Sequence, residues 1–183
     1  KKNLSFSENF FYMCFGKVPS KDIVKAFDVS LILYAEHSFN VSTFTARTIT
    51  SSLSDIHGAI TGAIASLKGP LHGGANEEVM HMMSKIKKPE NALKWINKAL
   101  KNKDVVMGFG HRVYKRGDSR VPTMEKYFKK VALIKKDKKF IKIYDTVKNV
   151  MIEKKNIHPN VDYPTGPTYH LMGFDTDFFT PIF

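Results

Sequence analysis

Apolar residues recur at helical spacing along most of this chain, and no Val-, Ile- and Thr-rich run alternates between tight turns as a sheet requires. That restricts the fold to helix packed on helix. Ser20 offers a cap for a helix in which Ile23, Phe27 and Leu31 repeat at i+4, reaching to about His37. A shorter helix is expected over residues 40–50, and a third from Ser54 or Asp55 to Leu67. In that third helix Gly58, Ala59, Gly62, Ala63 and Ala65 form a small-residue face despite glycine's low helix propensity. Such a face suits either packing within the chain or a seam between two copies. Gly69-Pro70 ends the helix, and Asn76, read as a cap, opens the next with Glu77 and Glu78 at the positive end of its dipole.

Val79, Met82, Met83 and Ile86 give that helix an apolar stripe, the methionines serving as core filler. Pro89 opens a helix with Leu93, Ile96 and Leu100 inward, and Pro122 one through Tyr127, Phe128 and Val131. A longer helix from about Lys138 turns Phe140, Tyr144, Val147 and Met151 inward. Residues 103–121 and 158–167 are expected to be irregular. The aromatic end, residues 175–183, is expected to expose apolar surface and reads as a point of truncation.

Composition narrows the function classes. No window reaches the ~18 consecutive apolar residues of a membrane span, and no signal-peptide core follows Lys1-Lys2. The single Cys14 excludes an internal disulfide and fits a reducing compartment. Lys and Arg outnumber Asp and Glu by 29 to 17, a net charge of +12. This suits a polyanionic partner (nucleic acid, an anionic membrane or a phosphorylated cofactor) or simply a lysine-rich solvated surface. The lysines are spread over 85–103, 126–139 and 148–155 among acids, as on the outer faces of helices. One Cys and no paired histidines at ligand spacing leave no metal site to expect. Nucleophile-elbow, P-loop and zincin motifs are missing, and Gly108-Phe109-Gly110 lacks the third glycine of a dinucleotide fingerprint.

Three irregular spots carry ionisable residues among glycines, prolines or asparagines: 71–76 with His72, 108–112 with His111, and 159–162 with Asp162. Loops held by a rigid scaffold are where function concentrates. His72 lies just before a helix N-terminus, where the dipole disfavours imidazolium. A neutral imidazole there is suited to donate a hydrogen bond to a developing enolate, as triosephosphate isomerase illustrates in general terms. Asp162 is a candidate base, His111 a candidate polariser of a second carbonyl, and Arg120 a bidentate holder of a carboxylate. The alternative for each is a structural histidine or a capping aspartate. His57, His81, His158 and His170 have no comparable setting and read as surface or packing residues.

At these residues the sequence resembles the citrate synthase family, which includes 2-methylcitrate synthase. The matching stretches are LILYAEHSFNVSTFTAR (31–47), GAITGAIASLKGPLHGGANEEVM (58–80), VVMGFGHRVYKRGDSR (105–120) and PNVDYPTGPTYHLMGFDTDFFTPIF (159–183). The resemblance implies an all-α fold: a small helical domain (72–167) and part of a larger one (1–71, with the return at 168–183). It implies condensation of acetyl-CoA or propionyl-CoA with oxaloacetate through an enol(ate), with no metal or other cofactor, since the CoA thioester is a substrate.

By the same resemblance His72 stabilises the enol(ate), His111 polarises the oxaloacetate ketone and Asp162 removes the α-proton. His37 and Arg120 bind oxaloacetate. Met107, Gly108, Phe109, Gly110 and Asn160 belong to the CoA site, with Lys115 and Arg116 meeting the CoA phosphates. A homodimer in a mitochondrial matrix or bacterial-type cytoplasm is implied, without nucleic acid or membrane as partner. The sequence departs from the pattern at Tyr34, usually histidine, and at Asp118-Ser119-Arg120, usually Asp-Pro-Arg. The Tyr-Ala-Glu-His wording at 34–37 leans toward the 2-methylcitrate branch. Two further substrate arginines of the family lie outside this chain, so a catalytically silent, partner-binding helical module is the alternative.

Overall fold

The structure, a computed structural model, describes residues 3–37 and 39–183; Lys1 and Lys2 of the basic opening lie outside the described residues. It is all-α, with no strand among those residues. α1 (Phe6–Phe15) opens on a capping box in which Ser5 and Glu8 satisfy each other's backbone N–H. α2 (Lys21–Ala35) follows, and α1 docks on it through Ser7 hydrogen-bonded to Asp28 and through Phe10 and Phe11 against Phe27. Ser20 is the N-cap residue of α2 but makes no side-chain capping bond, contrary to expectation.

α3 (Val41–Ser51) and α4 (Ile56–Leu67) form a hairpin, capped by Asn40 on Thr43 N–H and by Asp55 on Gly58 N–H. The Ile49 side chain of α3 lies over Gly62 of α4, so part of the small-residue face is used within the chain. The hairpin packs mainly on itself. No residue of α3 is buried, and in α4 only Ala59 is.

The body is built around α5 (Ala75–Ile86), whose Val79, Met80, Met82, Met83 and Ile86 are all buried. α6 (Pro89–Asn102) packs against α8 (Lys139–Lys155), and α7 (Val121–Ile134) against α2 and α9 (Asp162–Met172). The inward face of α6 is Ala92, Ile96 and Ala99; Leu93, expected inside, is exposed. In α8 Phe140, Tyr144, Val147 and Met151 are buried as their spacing predicts. α9 crosses α5 closely: a Cβ at Gly166 would sit 2.8 Å from the Asn76 carbonyl oxygen.

Two expectations fail here for identifiable reasons. Residues 158–167 are not irregular throughout, because α9 begins at Asp162 and continues through Pro164 and Pro167. Pro164 sits in the first turn, where its missing N–H costs nothing, and burial of Tyr163 and Tyr169 holds the rest. The aromatic end does not stay in solvent. After a 3-10 turn (Thr176–Phe178), α10 (Phe179–Ile182) buries Phe179, and Thr180 N–H bonds Glu77.

One backbone ladder joins the two remaining irregular stretches. Gly110 N–H donates to His158 O at 2.9 Å, Asn160 N–H to Gly108 O at 2.9 Å, and Asn160 Nδ2 to Gly110 O at 2.9 Å. Gly108 has φ +83°, and a Cβ there would meet Tyr163 Cβ at 2.8 Å. Gly108→Ala in the full-length protein is therefore expected to cost about 1–3 kcal/mol through strain and overpacking. The check is a lower denaturant midpoint at unchanged slope.

Candidate active site

The turn after α4, the start of α9 and the 105–111 segment meet over a cleft of about 340 Å³. His37, His72, Met107, Gly108, Phe109, Gly110, His111, Arg120, Asn160 and Asp162 all line it. Lys115 and Arg116 do not; both are exposed, and Lys115 Nζ lies 3.5 Å from His111 O beside the cleft. His72, His111 and Asp162, widely separated in sequence, line one cleft.

Each of the three histidines is held in one tautomer by a backbone N–H. Ser42 N–H donates to Nε2 of His72 at 3.3 Å, with Ser42 Oγ 3.0 Å from the same nitrogen. Nδ1 of His72 therefore carries the ring proton. For His111 the donors are Val113 N–H at 3.0 Å and Tyr114 N–H at 3.3 Å, both to Nδ1, which leaves Nε2 as the N–H. Phe39 N–H occupies Nδ1 of His37 at 3.2 Å in the same way. Partial burial lowers the pKa of all three, helped at His37 and His111 by the Arg120 charge and at His72 by His37. All three rings are neutral single donors at pH 7.

Asp162 has the opposite shift. Burial pushes its pKa up to about 6, against the lowering effects of a Tyr34 hydrogen bond and of Arg120. A carboxylate in that range is ionised at neutral pH yet far more basic than one in water.

Arg120 is buried and pre-aimed. Its Nε and Nη2 donate to the two oxygens of Asp118 at 2.9 and 2.8 Å, and Nη1 donates to Glu36 O at 2.8 Å. Of its five N–H groups two remain for a ligand. Burial alone would raise the Asp118 carboxyl, but the Arg120 hydrogen bonds bring its pKa below the usual value. Asp118 also accepts Val161 N–H at 2.9 Å, tying the arginine to the residue before Asp162. Tyr114 lies under the guanidinium, 5.2 Å from ring centre to Cζ, and donates its hydroxyl to Glu36 at 2.5 Å.

Several contributors carried no signal of their own in the sequence. Ser42, Glu36 and Asp118 touch other site residues and Phe183 lines the cleft itself, and only the two-residue spacing of Asp118 and Arg120 hints at a pair. Asn76 does not cap α5. It is fully buried in the first turn, and Gly74 holds the cap position without a side-chain bond. Among the described residues no cluster of three or more metal-type ligands occurs, and no helix is long and apolar enough to cross a membrane.

Residues 1–183 match the family model described as citrate synthase, C-terminal domain. The chain is 58% identical over 184 residues to 2-methylcitrate synthase 2 of Corynebacterium glutamicum, covering 98% of this chain and 48% of that protein. It is 53% identical over 180 residues to the 2-methylcitrate synthase of Mycobacterium tuberculosis, covering 98% and 46%. In three dimensions it superposes with TM-score 0.90 on a ternary complex of Thermoplasma acidophilum citrate synthase with carboxymethyl coenzyme A and oxaloacetate. That match is 36% identical and covers all of this chain and 50% of the other. The chain thus spans about half the length of the curated relatives it matches.

Proposed function

The chain belongs to the citrate synthase family, and from that premise we propose that its full-length protein condenses propionyl-CoA or acetyl-CoA with oxaloacetate and releases CoA. The observation that carries this reading is the convergence of two neutral histidines of opposite tautomer with a carboxylate of pKa about 6 in one cleft. Asp162 removes a proton from the acyl α-carbon, and Nδ1–H of His72 donates to the enolate oxygen as charge develops there. Nε2–H of His111 polarises the oxaloacetate ketone. The α-carbon bonds to the ketone carbon, whose oxygen takes up a proton. Water then cleaves the thioester to give CoA and a tricarboxylate.

Arg120 and His37 hold the oxaloacetate end. The 107–110 backbone with Asn160 receives CoA, and Lys115 and Arg116 meet its phosphates from beside the cleft. No metal or redox group enters this scheme. We divide the chain into large-domain segments 1–71 and 168–183, which hold His37 and Phe183, and a small domain 72–167, which holds His111 and Arg120; all four line the cleft. Closure between them would exclude water from the enolate. A homodimer is proposed from the uncovered row Ile56, Ile60 and Ile64 of α4 with Val41 and Phe44 of α3, solution mass of the full-length protein being the check. A mitochondrial matrix or bacterial-type cytoplasm is the proposed setting.

The test is oxaloacetate-dependent CoA release by the full-length protein with each acyl donor. Propionyl-CoA is expected to be the better substrate, consistent with the names of the relatives. The plot of kcat/KM against pH should fall tenfold per unit below about pH 6, where Asp162 becomes protonated and the base is lost. Absence of CoA release with either donor would overturn the reading.

A further inference from the structure

The Tyr34 hydroxyl lies at the centre of a buried relay between three helices. Tyr34 on α2 is 2.9 Å from Oδ1 of Asp162 on α9, and Nδ2 of Asn76 on α5 is 3.2 Å from the same hydroxyl. An amide NH₂ only donates, so Asn76 must occupy a lone pair of the Tyr34 oxygen. The one phenolic proton is then directed to Asp162. Asn76 is fully buried and its own Oδ1 has no hydrogen-bond partner among the described residues. Leaving a buried carbonyl unsatisfied is costly, which fits an amide fixed by its task on Tyr34. The Tyr34 ring is wedged edge-on against Phe183, with centroids 4.4 Å apart, and Ser30 bonds the neighbouring Tyr169 at 3.0 Å. No described residue donates a hydrogen bond to the second oxygen of Asp162.

We infer that Tyr34, oriented by Asn76, is a positioning residue for Asp162, holding Oδ1 so that Oδ2 is the oxygen that takes the α-proton. This rests on Asp162 being the base. Among the described residues Tyr34 supplies the one side-chain hydrogen bond to Asp162; burial and Asp118 oppose the carboxylate charge, and Arg120 before α7 favours it. Tyr34 itself stays protonated, because burial and the Asp162 charge raise its pKa well above the usual phenol value. It therefore orients the base without competing for its proton.

The experiment measures pH profiles of full-length Tyr34→Phe and of protein carrying 3-fluorotyrosine at position 34, with Asp162→Asn as reference. Tyr34→Phe removes the donor with no change of ring. Turnover should fall about tenfold, the scale of one charge-assisted hydrogen bond, with both KM values within about twofold. The acid limb should move to higher pH, since an undonated carboxylate holds its proton more tightly. Fluorination makes the hydroxyl a stronger donor and should move the limb the other way, a shift that loss of packing cannot produce. If Asp162→Asn is inactive while both Tyr34 variants keep the parent limb, the inference is overturned and the base assignment stands. If Asp162→Asn retains parent turnover, the base assignment fails first, and this inference with it.

Discussion

Asp162→Asn in the full-length protein is expected to lose at least about 10²-fold in turnover, the usual scale for a missing general base, with oxaloacetate binding nearly intact. Asparagine keeps the size of the side chain and can still accept from Tyr34, but it has no site for the α-proton. The protons beside a thioester are weakly acidic, and a carboxylate in water is too feeble to remove them at useful rates. Burial in the cleft lifts Asp162 to about 6 and so supplies the basicity. Exchange of α-protons from a bound, unreactive acyl-CoA analogue should fall in parallel. Condensation at near-parent rate would show that Asp162 is structural and the base lies elsewhere.

Arg120→Leu is expected to raise the oxaloacetate KM about 10²-fold, since one charge-assisted bidentate pair contributes ~1.5–3 kcal/mol. The acyl-CoA KM should change little, because the proposal assigns Arg120 to oxaloacetate and the 107–110 backbone with Asn160 to CoA. The variant also strands Asp118, which is 4% exposed and loses both of its guanidinium hydrogen bonds. Breaking a buried pair costs about 3–5 kcal/mol, so thermal midpoints must be measured alongside kinetics, well below unfolding. Arg120→Lys should recover stability only in part, because an ammonium cannot reproduce the fork. Unchanged oxaloacetate kinetics in a folded Arg120→Leu protein would remove Arg120 from the site.

Helix content and the inward faces of α5 and α8 were legible because a 3.6-residue period survives in Val79–Ile86 and Phe140–Met151. The inward face of α6 is hidden in the sequence, since alanines carry too little hydrophobic contrast for Ala92 and Ala99 to stand out beside the exposed Leu93. The proline-rich start of α9 hid a helix, as local propensity there is overruled by burial of Tyr163 and Tyr169. Among the site residues, those bearing titratable groups beside glycine or proline could be picked out. Residues that act by aiming others could not. Ser42 is 30 positions from His72, and Tyr34 is 128 from Asp162. No local pattern encodes a contact of that range.

The α3–α4 hairpin has a consequence that reaches into the chemistry. Only Ala59 of the hairpin is buried, and segments with little buried apolar surface open locally at low free energy. Yet its second residue, Ser42, fixes which nitrogen of His72 bears the proton. Opening of the hairpin would withdraw that N–H and free the imidazole to take the other tautomer. In the proposed reaction the fraction of molecules with Nδ1–H of His72 available would then follow the fraction in which the hairpin is seated. If the proposed dimer forms through the isoleucine row of α4, seating of the hairpin and the tautomer of His72 become one variable.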